Sequence, residues 1–125
     1  MIVVVHYGCG GIRAAWQVKP LGLIDNWLRH VQDVRNKHAG LLAECRDIAH
    51  QLSRLCELNV VEQVVHVART TIVEEAWQRG QPLALHGFVY GLADGILRDL
   101  GIEAASTAEL RSHYEPAIAR CAGSG

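Results

Sequence analysis

The sequence predicts an α/β fold, a small and mostly parallel sheet flanked by helices with an antiparallel edge strand. Three observations point there. A β-branched run, Met1-Ile-Val-Val-Val-His6, stops at a glycine-rich turn, as a buried strand of an α/β sheet does. Apolar residues then recur at helical spacing over most of residues 23 to 77. Finally, Pro82 to Tyr90 is a compact apolar segment followed by turn residues and a second short apolar stretch, which reads as a hairpin.

Each element has its own local reason. The first strand is expected to be buried on both faces, because none of Ile2 to Val5 is polar. Gly8-Cys9-Gly10-Gly11 breaks it, and Ile12 to Trp16 forms a short helix before Pro20 and Gly22. Leu23, Ile24, Trp27, Leu28, Val31 and Val34 share one face of an amphipathic helix, with Asp, Arg and Lys on the other.

A longer helix is expected from Leu55 to Trp77, since Leu58, Val61, Val65, Ala68, Ile72 and Ala76 hold the 3.6-residue period despite many valines. Gly80 and Pro82 end it. Pro82 to Tyr90 is the second strand, Gly91 to Gly95 the turn, and Ile96 to Leu100 a third strand antiparallel to the second. Ser106-Thr-Ala-Glu109 has capping-box spacing and opens a last helix. One domain over residues 1–120 and a flexible tail over 121–125 complete the expectation. A sheet this short of strands leaves an edge to pair with something else, so the chain is expected to form a homo-oligomer.

Composition narrows function. The 125 residues carry 12 Lys plus Arg against 13 Asp plus Glu, a formal charge of −1, which is no footprint for a nucleic-acid partner. The longest apolar run, Met1 to Val5, is far below the roughly 20 residues that span a membrane. No secretory signal pattern is visible. Cys9, Cys45, Cys56 and Cys121 are scattered without a C-x-x-C pair, which favours free thiols and a cytoplasmic setting.

The segment with most chemistry is His6-Tyr-Gly-Cys-Gly-Gly11, at the carboxyl end of a strand, where open α/β sheets collect ligands. An imidazole three residues before a thiol can reach one metal ion across a tight turn, and both groups suit zinc. A helix starting behind Cys9 favours its thiolate. Glycines 10 and 11 let backbone approach. By spacing, other readings stay open: a nucleophilic Cys9 activated by His6, or a buried structural pair. A phosphate-cradling cysteine loop fits poorly, because only three residues separate Cys9 from Arg13. The other six histidines, His30, His38, His50, His66, His86 and His113, are dispersed and read as surface or hydrogen-bonded core residues.

His6-Tyr-Gly-Cys-Gly-Gly11 resembles the second zinc-binding motif of β-class carbonic anhydrases. Leu21-Gly-Leu-Ile-Asp-Asn-Trp-Leu28, Leu55-Cys-Glu-Leu-Asn-Val60 with Glu62-Gln63, His86-Gly-Phe-Val-Tyr90, Asp94-Gly and Leu97-Arg-Asp-Leu100 also resemble family segments, in the family's order. The resemblance implies a zinc enzyme that interconverts carbon dioxide and bicarbonate. It implies His6 and Cys9 as two of three protein ligands of the zinc, with a backbone role for Gly10 and Gly11. Tyr90 matches a tyrosine that some members use to hold bicarbonate, and it can equally be a tyrosine ending a core strand. The family's other ligand cysteine lies in an upstream Cys-x-Asp-x-Arg motif, which these residues do not contain; Cys45-Arg-Asp47 does not fit it. Val5 stands where the family usually has glycine. A non-catalytic relative that acts as an assembly or zinc-binding chain is the alternative.

Overall fold

The computed structural model describes residues 1–17 and 20–123. In chain order it has β1 (Ile2–His6), α1 (Gly10–Gln17), a single 3-10 turn at Gly22–Ile24, α2 (Asp25–Lys37), α3 (Ala39–Ala43), α4 (Ile48–Ala68), α5 (Thr71–Gln78), β2 (Leu85–Tyr90), β3 (Leu97–Ala104) and α6 (Thr107–Gly123). The sheet has the order β1-β2-β3. β1 runs parallel to β2, with Ile2 opposite His86 and His6 opposite Tyr90, and β2 runs antiparallel to β3. The expected mixed topology is therefore present.

The core sits between the sheet and α4, a helix of 21 residues. Asp47 caps it, its carboxylate accepting from the His50 N–H at 2.8 Å. From Leu55 to Val65 every residue except Gln63 is buried, so this helix shows little amphipathic contrast. It packs on β1 and β2 with one side and on α6 and α2 with others. A helix hydrophobic on most sides belongs inside a structure.

Four local expectations need correction. The helix expected over Leu55–Trp77 is two: α4 ends at Ala68, and Thr70 caps α5, its hydroxyl accepting from the Val73 N–H and donating to the Val67 carbonyl at 2.7 Å. A continuous apolar period hides such a break, because both helices turn their apolar sides to the core. β1 is not buried on both faces: Ile2 and Val4 are 60% and 50% exposed, while Val3 and Val5 pack on the core. β3 runs to Ala104 rather than Leu100, because Gly101 adopts φ +73° and the ladder opposite Gly87 takes up extra residues as a bulge. Finally, α6 continues through the boundary set at residue 120; Cys121 is buried in it, and only residues 124 and 125 of the expected tail lie outside the described residues.

The capping box works with a small shift. Ser106 Oγ accepts from the Glu109 N–H at 3.2 Å, and the Glu109 carboxylate accepts from the Ala105 N–H at 2.6 Å.

Glu62 fastens three helices. Its carboxylate, buried in α4, accepts from Lys37 Nζ (3.0 Å), His38 Nε2 (2.9 Å) and the Tyr114 hydroxyl. Burial alone would raise its pKa, but the bonds from His38, Tyr114 and Lys37 prevail and hold it at about 2, below the model-compound 4.5. The unfolded chain therefore takes up this proton near pH 4.5 while the folded chain resists until about pH 2. The stabilisation is complete above pH 4.5 and is lost as pH falls toward 2. It amounts to about 3 kcal/mol at most. Urea unfolding of Glu62→Gln should accordingly show lower stability at pH 7 and a flatter acid arm between those values. An unchanged acid arm would mean the three bonds do not hold in solution.

Candidate metal-ligand site

The site is built where β1 ends. Gly8, at φ +75°, turns the chain between His6 and α1, a conformation that suits glycine. Cys9 immediately precedes α1, and its carbonyl accepts from the Arg13 N–H at 3.1 Å, so its thiol stands at the helix's amino end. The Tyr7 N–H donates to the Tyr90 carbonyl at 3.0 Å, tying this turn to the end of β2.

His6, Cys9 and Tyr90 face one open groove of about 590 Å³, together with Val4, Val5 and Leu97. The structure thus brings together the three side chains singled out by sequence. His6 Nδ1 lies 2.9 Å from the Tyr7 carbonyl. A carbonyl only accepts, so the bond requires a proton on Nδ1 and leaves the Nε2 lone pair available, the arrangement that metal-binding histidines commonly adopt. A β-carbon on Gly11 would lie 3.7 Å from Cys9 Sγ, whereas one on Gly10 would meet open space.

Two groups in this groove, the His6 imidazole and the Cys9 thiol, are of the kind that could hold a zinc ion. Among the described residues no group of three or more His, Cys, Asp or Glu side chains is arranged to hold a metal. The fit is therefore to part of a ligand set. Cys45 belongs to another segment, after α3, where its thiol approaches the Leu41 carbonyl. Cys56 and Cys121 are buried, and burial pushes their thiols up to about 11 and about 12. Cys56 lies beneath the turn, donating weakly to the His6 carbonyl at 3.9 Å.

Sequence reasoning missed what holds the turn from below. The Tyr7 hydroxyl donates to Glu57, which also accepts from Arg54 Nη1 at 2.5 Å. Burial raises the Glu57 carboxyl against the lowering influence of Tyr7 and Arg54, and burial with the Glu57 bond raises Tyr7. The Arg98 guanidinium sits 5.8 Å over the Tyr7 ring and pairs with Asp94 at 2.5 Å. Tyr7 is thus a peg between the two donors. Its signal in the sequence is faint: Arg54 and Glu57 are three apart on a helix whose neighbours there are apolar.

Comparison with known proteins identifies the family and the fold. The carbonic anhydrase family profile matches residues 1–97. A carbonic anhydrase of Emericella nidulans is 37% identical over 103 residues, covering 82% of this chain and 45% of that protein. Among solved structures, the Coccomyxa β-carbonic anhydrase in complex with acetazolamide superposes with TM-score 0.80 at 31% identity, over 99% of this chain and 58% of that one. Two tetrameric β-carbonic anhydrases from Sordaria macrospora are represented by a match of TM-score 0.74 at 28% identity, over 83% and 53% of the respective chains. The chain spans about half the length of these relatives. In sequence and in fold, this chain belongs to the β-carbonic anhydrase family.

Proposed function

We propose that this chain carries part of the active site of a β-carbonic anhydrase, contributing His6 and Cys9 to a zinc ion, and that the complete protein hydrates carbon dioxide reversibly to bicarbonate. The observation that carries the reading is the shared groove, into which one strand end and the following turn present an imidazole with Nε2 available and a thiol. Zinc supplies Lewis acidity that brings water ionisation close to neutral pH. Gly10 and Gly11 open the helix behind Cys9, and any role they have there is through the backbone. Val4, Val5 and Leu97 give the groove an apolar wall suited to an uncharged gas, and Tyr90 offers a hydroxyl at its edge for bicarbonate.

A third protein ligand must come from a Cys-x-Asp-x-Arg segment outside these 125 residues. Carbon dioxide hydration by the 125-residue chain alone should fall at least about 100-fold short of the chain joined to such a segment, since even changes outside the ligand shell of zinc enzymes cost 10 to 100-fold. Stopped-flow hydration of both proteins tests this. Near-equal rates would defeat it.

The competing reading is a non-catalytic chain that assembles with itself or with a complete subunit. It draws on the lack of a third donor among the described residues and on exposed apolar surface: Leu23 and Trp27 are 88% and 77% exposed, and Ile2 and Val4 line an edge strand. That surface supports a homo-oligomer on either reading. Sedimentation should find a dimer or larger at micromolar concentration; a compact monomer would argue against it. Among the described residues no helix is long and apolar enough to cross a membrane. No disulfide joins the four cysteines among the described residues, which fits a reducing compartment, and we propose that the protein is cytoplasmic.

A further inference from the structure

We propose that the cavity enclosed by the carboxyl ends of α2 and α4 and the first turns of α6 is a binding site for a small phosphate-bearing anion. The cavity measures about 280 Å³ and shares no lining residue with the groove of His6 and Cys9. It is therefore independent of the proposed hydration chemistry.

Charge is the reason. Lys37, Arg69 and Arg111 line the cavity, with Glu62 and Glu115 as its carboxylates. Glu62 is already occupied by Lys37, His38 and Tyr114, so these four groups largely satisfy one another. Arg69 and Arg111 are different. Both are exposed, and among the described residues the side chain of neither makes a hydrogen bond or an ion pair, with Glu115 or any other group. The carbonyl end of α4 does not use the Arg69 guanidinium either, because the Val65, His66 and Val67 carbonyls accept from the backbone N–H groups of Arg69 and Thr70.

Two arginines whose side chains have no partner among the described residues thus line one cavity. A guanidinium presents paired N–H donors in a planar fork that matches the oxygens of phosphate, and two such forks neutralise a dianion. Val65 and Leu110 supply an apolar floor for an organic portion. A nucleic-acid polymer is a poorer match, since the chain's net charge is −1 and the site is a single pocket, not a stripe.

The test uses the metal-free 125-residue chain, so that phosphate at a zinc ion is not read by mistake. Inorganic phosphate and glycerol 3-phosphate are titrated separately, with chloride at matched ionic strength as reference, and amide shifts are followed by NMR. Saturable binding is expected with a dissociation constant on the order of a millimolar. Arg69→Gln and Arg111→Gln should each weaken it about tenfold or more, as loss of a charge-assisted contact does. Arg29→Gln, an exposed arginine elsewhere on α2, should leave it unchanged. Tighter binding of the ester would identify a phosphomonoester as the ligand, and equal or weaker binding would identify free phosphate. Shifts that do not saturate, or equal weakening by Arg29→Gln, would overturn the proposal. All three arginines are exposed, so the variants should fold, which thermal melts verify.

Discussion

Cys9→Ser should remove bound zinc from this chain, while Cys45→Ser and Cys121→Ser should leave zinc content unchanged. The difference follows from position. Cys9 stands at the amino end of α1 and lines the same groove as His6. Cys121 is buried in α6 with its thiol pushed up to about 12, and it lines a different cavity with Tyr7, Glu57 and Arg120. Cys45 follows α3, and its thiol faces the Leu41 carbonyl. A serine hydroxyl stays protonated where a thiolate would bind, so the substitution withdraws a charged donor and not merely a shape. If His6 and Cys9 are the two donors among the described residues, losing one should lower zinc affinity by about 100-fold or more, beyond what loss of a supporting group outside the ligand shell costs. Equilibrium dialysis against buffered zinc, followed by metal analysis, measures it. Cys56→Ser separates ligation from support: it leaves both donors but places a hydroxyl in the core, so stability should fall while zinc is retained. Equal zinc loss from Cys45→Ser or Cys121→Ser would show that the ligands lie elsewhere.

How much of this could be seen beforehand depended on the range of each interaction. The His6-to-Gly11 turn was legible because strand, glycine turn and helix start follow each other within six residues, so the His6 and Cys9 side chains are positioned by local geometry. The strand directions also followed, since a helical crossover suits β2 parallel to β1 and a short turn makes β3 antiparallel to β2. The break at Thr70 is local, but the other misread features depend on contacts between distant segments. Leu23, Ile24 and Trp27 lie in an apolar stripe like that of Leu28 and Val34, yet only the latter two reach the core. Periodicity reports which side of a helix is apolar, not how much of it finds a partner. Nothing in the sequence near Glu57 and Glu62 points to Tyr7, 50 residues away, and Tyr114, 52 residues away, which the fold brings onto them.

The same limit applies to Gly87, which matters through a partner 15 residues on and not through its own backbone. It lies in β2 without a positive φ, so its conformation is open to any residue. A β-carbon built there would sit 2.6 Å from Ile102 Cγ2, 2.9 Å from Val60 Cγ1 and 3.2 Å from Val64 Cγ2. The first two distances are shorter than real contacts allow, and all three neighbours are fixed in the core. Ile102 follows Gly101, in the stretch of β3 where the register shifts opposite this position. Replacing glycine by alanine at a permissive site gains about 0.4–1 kcal/mol through the unfolded chain. Overpacking a closed core costs about 1–3 kcal/mol and should prevail. Gly87→Ala should therefore destabilise the chain, and Gly87→Val, with two further methyl groups, should do so by more, read as a lower urea midpoint with unchanged slope. Ile102→Ala removes the nearest methyl but opens a cavity of its own, at about 2–5 kcal/mol. If the clash is the cause, Gly87→Ala combined with Ile102→Ala will cost less than the sum of the two, by about 0.5–3 kcal/mol. Strict additivity, or a Gly87→Ala protein as stable as the parent, would show that α4 and β3 can part without penalty and that the close packing between them does not persist in solution.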